Sequence, residues 1–129
     1  MNLLLDTQIA VWLVTASHRL SQKALELMAG PGVDARVSAV TIWEIAIKHA
    51  LAKPTSPPFS GTAAIGHFTK AGLTLLDITP EHAATVGTLP LLHGDPFDRL
   101  LVAQALTEPL RLVTADRQLA AYSDTVILC

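Results

Sequence analysis

The sequence is short of charge and nearly without cysteine. Of its 129 residues only 16% are Asp, Glu, Lys or Arg, against roughly a quarter in an average soluble domain, while 50% are hydrophobic. The one cysteine, Cys129, stands at the last position, so there is no disulfide framework and no cysteine-based zinc site. An intracellular, reducing compartment fits, and a cytoplasmic protein is expected. No apolar run approaches the roughly 18 residues of a membrane-spanning helix. The opening MNLLLD has no basic residue and meets an acid at Asp6, unlike a secretory signal. A net charge of −2 gives no global attraction for nucleic acid, so an RNA substrate would need local positive charge or metal ions. So greasy a chain is expected to cover apolar surface with a second copy or another protein. Its length suits one domain, 1–129, with one sizeable core.

What is present alternates. Asn2 to Leu5 is a short apolar run ending in Asp6, the pattern of a buried parallel strand with an acid at its carboxyl end. An apolar helix follows through Val14, and a second runs from about Ser21 to Ala29. Ala35 to Ser38 reads as a strand, and Ser38 or Thr41 caps a longer helix expected to reach Lys53, where Pro54 stops it. After the stiff loop Pro54 to Gly61 come a helix from about Thr62 to Ala71 and a strand from Leu73 to Leu76. Thr79-Pro80-Glu81 opens a short helix. Leu110 to Val113 is a strand, Asp116 to Ala121 a helical turn, and Val126 to Leu128 a last strand. The pattern predicts an α/β fold of three layers, with a central, mainly parallel sheet of four to five strands covered on both faces.

The organising stretch is His93 to Leu106, HGDPFDRLLVAQAL. Asp95 sits where an N-cap belongs, Pro96 at the first helical position and Asp98 in the first turn. The helix is apolar almost all round, broken only by Arg99 and Gln104. Capping by Asp95 and a dipole contribution from Asp98 would account for both acids, at about 1–2 kcal/mol together. The other acids change the weighting. In open α/β sheets function collects at the carboxyl ends of the strands. Asp6 ends the first strand, Asp116 follows Val113 by three residues, and Asp95 and Asp98 open a helix at that same edge. Glu44 lies within two turns of the start of its helix, where Thr41, Glu44 and Lys48 make a thin polar stripe. Each acid also has a local explanation: Asp6 and Asp116 as caps, Glu44 as the i,i+4 partner of Lys48. If they converge, however, mutual repulsion requires a cation. Oxygen ligands without clustered Cys or His select a hard ion, Mg²⁺ or Mn²⁺, and phosphodiester hydrolysis is the chemistry that suits such a site.

With these residues collected, the chain resembles the PIN-domain family, specifically the VapC-type toxins of toxin–antitoxin pairs. The resemblance rests on LLLDT at Leu3 to Thr7, SAVTIWEIAIK at Ser38 to Lys48, HGDPFDRLLVAQAL at His93 to Leu106 and LVTADRQLAAY at Leu112 to Tyr122. It implies a Mg²⁺- or Mn²⁺-dependent ribonuclease acting on single-stranded regions of RNA. By motif position Asp6, Glu44, Asp98 and Asp116 would be the catalytic and metal-binding set. Asp95 would cap the helix or stand behind that set, with Thr7 and Thr114 as hydroxyl supports. Lys48, Arg99 and Arg117 lie near proposed acids and are candidates for RNA phosphate contacts, against a default of solvated surface charge. The family also implies a homodimer and an antitoxin partner lying in an apolar groove.

Other residues are set aside. Asp77 reads as a turn residue, and His93 as a structural donor rather than a ligand. His18, His49, His67 and His82 have no metal-like spacing, and Trp12 and Trp43 read as core or groove wall. A receiver-type signalling module would need a second acid beside Asp6 and a late lysine, yet none follows Lys70. A phosphatase with an Asp nucleophile would need an acid two residues after Asp6. A catalytically silent binding protein of the same fold remains the main alternative.

Overall fold

A computed structural model describes residues 1–129. The first strand, β1 (Asn2–Leu5), is followed by α1 (Thr7–Thr15), α2 (Gln22–Ala29), β2 (Asp34–Ser38), α3 (Ala39–Ala50), α4 (Gly61–Lys70) and β3 (Thr74–Leu76). Then come α5 (Pro80–Thr85), α6 (Pro96–Thr107), β4 (Arg111–Thr114), α7 (Arg117–Ala120) and β5 (Ile127–Leu128). The five strands form one sheet in the order β3-β2-β1-β4-β5, and every pairing is parallel. The expected sheet is thus present with five strands and no antiparallel member.

β1 is central and its apolar run is buried on both sides. Leu3 and Leu5 enter one core with Ile9, Ala24 and Phe68 from α1, α2 and α4. Leu4 faces the other way, into a core with Leu101, Val102 and Ala105 of α6. The alternation of side chains along a strand makes this division, and with it the three layers.

Local chemistry sets the element ends. Ser21 caps α2 through Ala24 N–H, and Ser38, not Thr41, caps α3 through Val40 N–H. α3 stops at Ala50 rather than at Lys53. Ala52 takes a left-handed φ of 51° and turns the chain out before Lys53, whose position ahead of Pro54 disfavours helix. Close approach of α3 and α4 depends on Gly61, where an added Cβ would stand 2.9 Å from the Ala46 methyl and 3.3 Å from the Ile42 carbonyl oxygen.

Candidate active site

The parallel sheet brings the carboxyl ends of β1, β2 and β4 to one edge, and a cavity of about 840 Å³ opens there. Asp6, Glu44, Asp95, Asp98 and Asp116 all line it, with Lys48 beside them. Five acids from four separate stretches of chain therefore share one hollow. Trp12 forms part of its wall with the Arg19 guanidinium 5.7 Å from the ring centre.

Asp6 occupies the N-cap position of α1 without a well-formed side-chain capping hydrogen bond, although the amides of the first turn lie close to its carboxylate. It is only 7% exposed, and the Thr114 hydroxyl donates to its Oδ2 at 2.5 Å. Burial pushes its pKa up; Thr114 and the amides of Gln8 and Thr7 hold it down, while Glu44 adds to the rise. Glu44 is 5% exposed. Its Oε2 accepts from Lys48 Nζ, and its Oε1 is buried without a hydrogen-bond partner. Lys48 is half exposed; partial burial lowers its pKa, but Glu44 foremost, then Asp95 and Asp98, raise it overall.

Asp95 is a cap, accepting at Oδ1 from Phe97 N–H at 2.8 Å and Asp98 N–H at 3.3 Å. Asp98 is left free to face the cavity. Burial pushes its pKa up to about 7, reinforced by the charges of Asp6, Asp95 and Glu44 and opposed by His93. Asp116 does two things: Oδ1 caps α7 through Gln118 N–H, and Oδ2 meets His93 Nε2 at 2.9 Å.

The hydroxyl supports divide. Thr114 joins two acids, donating to Asp6 and accepting from Asp116 N–H at 3.0 Å. Thr7 instead pairs with Thr41 at 2.9 Å, so its influence passes through α3, one turn before Glu44. Arg99 requires a correction. It is 9% exposed, and its guanidinium donates to the carbonyls of Pro90, Val86 and Leu89 and to the Tyr122 hydroxyl. Engaged with four acceptors inside the protein, it is not a phosphate contact; it anchors the loop before α6. Arg117 is exposed at the start of α7.

His93 stands close to two of the acids. Its Nε2 lies 3.4 Å from Asp98 Oδ2 as well as 2.9 Å from Asp116 Oδ2, in keeping with a donor role. His82 is fully buried and far from this work: it completes the α5 capping box with Thr79 and meets Glu108 at 2.5 Å.

A cation suits the donor set. Buried, mutually repelling carboxylates, one with an oxygen left unpaired, are what a hard divalent ion would relieve. Asp6, Glu44, Asp98 and Asp116 are the side chains that could hold it.

Comparison with known proteins identifies the family and the fold. The family model for the PIN domain matches residues 3–124. The chain belongs to the PIN-domain family. It is 31% identical over 124 residues to Ribonuclease VapC22 of Mycobacterium tuberculosis, covering 94% of this chain and 92% of that one. The fold is shared with VapBC2 from Rickettsia felis, solved bound to a DNA fragment from their promoter, with a TM-score of 0.71, 20% identity and 100% and 98% of the two chains covered. VapBC-5 from Mycobacterium tuberculosis, a toxin–antitoxin system, gives a TM-score of 0.65 at 19% identity, covering 99% and 98%.

Proposed function

We propose that this chain is a Mg²⁺- or Mn²⁺-dependent endoribonuclease and the toxin of a toxin–antitoxin pair. The observation that carries the proposal is the meeting of buried Asp6 and Glu44 with Asp98 and Asp116 in one open cavity. The ribonuclease name of the Mycobacterium tuberculosis relative supports the activity, and the VapBC complexes support an antitoxin partner. A homodimer is also proposed, and the apolar groove around Ile42, Trp43, Ile65 and Leu75 would take the antitoxin. No helix is long and apolar enough to cross a membrane, and the proposed setting is cytoplasmic.

Hydrolysis adds water across a P–O bond of the RNA backbone. A bound divalent ion supplies positive charge to the phosphate and acidifies water. The protein's own part is positional. Asp6 is fixed by Thr114, Glu44 by burial and Lys48, and Asp116 by its cap and by His93. The cavity, about 840 Å³, exceeds the room an ion needs, which supports a larger substrate such as a stretch of single strand. Lys48, which lines the cavity, and Arg117, next to Asp116 in the chain, are the proposed phosphate contacts; both are solvent-accessible, as Arg99 is not.

The test is to incubate the purified chain, free of antitoxin, with structured RNAs in Mg²⁺ or Mn²⁺, with and without chelator. Cleavage should stop with chelator and with Asp6→Asn, while the thermal midpoint of that variant does not fall. Cleavage that survives both treatments refutes the proposal. A silent binding protein has no observation in its favour, since all four acids line the cavity.

A further inference from the structure

Three ligand atoms near the cavity, Nε2 of His93 and carboxylate oxygens of Asp98 and Asp116, lie within 4.8 Å of one another. That is the spacing of a metal site with one nitrogen ligand. The hydrogen bonding of the imidazole says otherwise. Asp95 N–H donates to His93 Nδ1 at 3.0 Å, so Nδ1 offers its lone pair and carries no proton. A neutral imidazole has one N–H, which must then be on Nε2. That proton faces Asp116 Oδ2 at 2.9 Å, with Asp98 Oδ2 at 3.4 Å. A nitrogen bearing a proton cannot ligate an ion.

We propose that His93 is a positioning residue. Locked as the Nε2–H tautomer by the Asp95 backbone, it holds Asp116 for the divalent ion, with the Asp98 carboxylate alongside, and is itself withheld from the ion. The inference rests on the metal-site reading above and adds a consequence: the ion meets oxygen only, which favours Mg²⁺ or Mn²⁺ over ions that seek nitrogen. The ring is fixed from behind as well. Tyr122 hydroxyl accepts from the N–H groups of Leu92 and His93 at 3.2 and 3.0 Å and from Arg99 at 3.2 Å. Arg99 in turn clasps the Pro90 carbonyl at 3.0 Å. Buried Arg99 thus fixes a loop, the loop fixes a ring, and the ring aims the Asp116 carboxylate. Partners of this kind, one step removed from the ion, change metal affinity about 10- to 100-fold when lost.

Two measurements test it. Long-range proton–nitrogen NMR of the imidazole, on the metal-free chain and again with saturating Mg²⁺, should show Nε2 protonated and Nδ1 bare in both. In parallel, Mn²⁺ affinity is read by electron paramagnetic resonance. His93→Leu should weaken it about 10-fold, while His93→Gln, which keeps an N–H donor at the same reach, should stay within about 3-fold of wild type. A bare Nε2 in Mg²⁺, with Mn²⁺ binding intact, makes His93 a ligand and overturns the inference alone. Equal Mn²⁺ affinity for His93→Leu and wild type also overturns it. Failure of the wild-type chain to bind Mn²⁺ at all overturns the metal-site reading and the inference together.

Discussion

Replacing Asp98 by Asn should stabilise the metal-free protein at pH 8 and do little at pH 4. Unfolded, the Asp98 carboxyl ionises near 3.8; folded, it keeps its proton to about 7. The stability associated with the protonated form is complete below about pH 4. It is lost as pH rises to about 7, because the unfolded chain then releases a proton that the folded one still holds. At about 1.4 kcal/mol per pH unit this amounts to about 4 kcal/mol. The side chain borders an open cavity, and screening there reduces the figure to about 2 kcal/mol. Asn also gives up the interaction of a carboxylate with the start of α6, about 0.5 kcal/mol. A gain of about 1.5 kcal/mol remains, or roughly 5 °C in midpoint for a chain of this size. Thermal unfolding in chelator at pH 4, 6 and 8 would measure it. Adding Mg²⁺ should reverse the order at pH 8, since the ion stabilises wild type more than the variant. A variant no more stable than wild type at pH 8, or equally favoured at pH 4, refutes the electrostatic account of the cavity.

Three further outcomes follow from the same contacts. Thr114→Val removes the donor to buried Asp6 and should cost about 1–2 kcal/mol at pH 8, and less at low pH where Asp6 is protonated; urea unfolding at the two pH values checks this. Arg99→Met leaves the carbonyls of Pro90, Val86 and Leu89 without this donor. It should cost about 3 kcal/mol and speed hydrogen exchange at Leu92 and His93, whereas an unchanged midpoint would restore Arg99 to the solvent-facing set. Lys48→Met removes the cation paired with Glu44. Divalent-ion affinity should rise several-fold by calorimetry, while the salt dependence of RNA binding should lose about one phosphate contact.

Much of the site is legible because of where parallel strands end. Asp6 and Asp116 follow apolar runs, and Asp98 opens a helix that feeds a strand, so all three belong to one edge whatever the loops do. Glu44 is legible only as part of the thin polar stripe with Thr41 and Lys48, because the apolar neighbours do not mark a buried side: Trp43 and Ile47 are themselves exposed. Arg99 is buried where its charge predicts a surface position, because α6 is apolar nearly all round. Such a helix has no marked solvent side, and both of its polar breaks, Arg99 and Gln104, prove to be buried; Gln104 donates to the Asp77 carbonyl at 3.2 Å. The end of α3 was placed three residues late because the left-handed step at Ala52 leaves no trace in residue type. His93 reads as a donor from its Gly-Asp context, but which acids it reaches depends on how the loop before α6 is folded, and that is set by Tyr122 and Arg99.

The missing methyl at Gly61 has a reach beyond its own helix. Glu44 sits between Ile42 and Ala46, the two residues that an added Cβ would press against. Alanine at 61 would force α3 to slide or tilt, and the rigid rod would transmit the shove to its acidic side chain. Sequence change at a position outside the cavity lining could therefore retune the spacing of the acids within it.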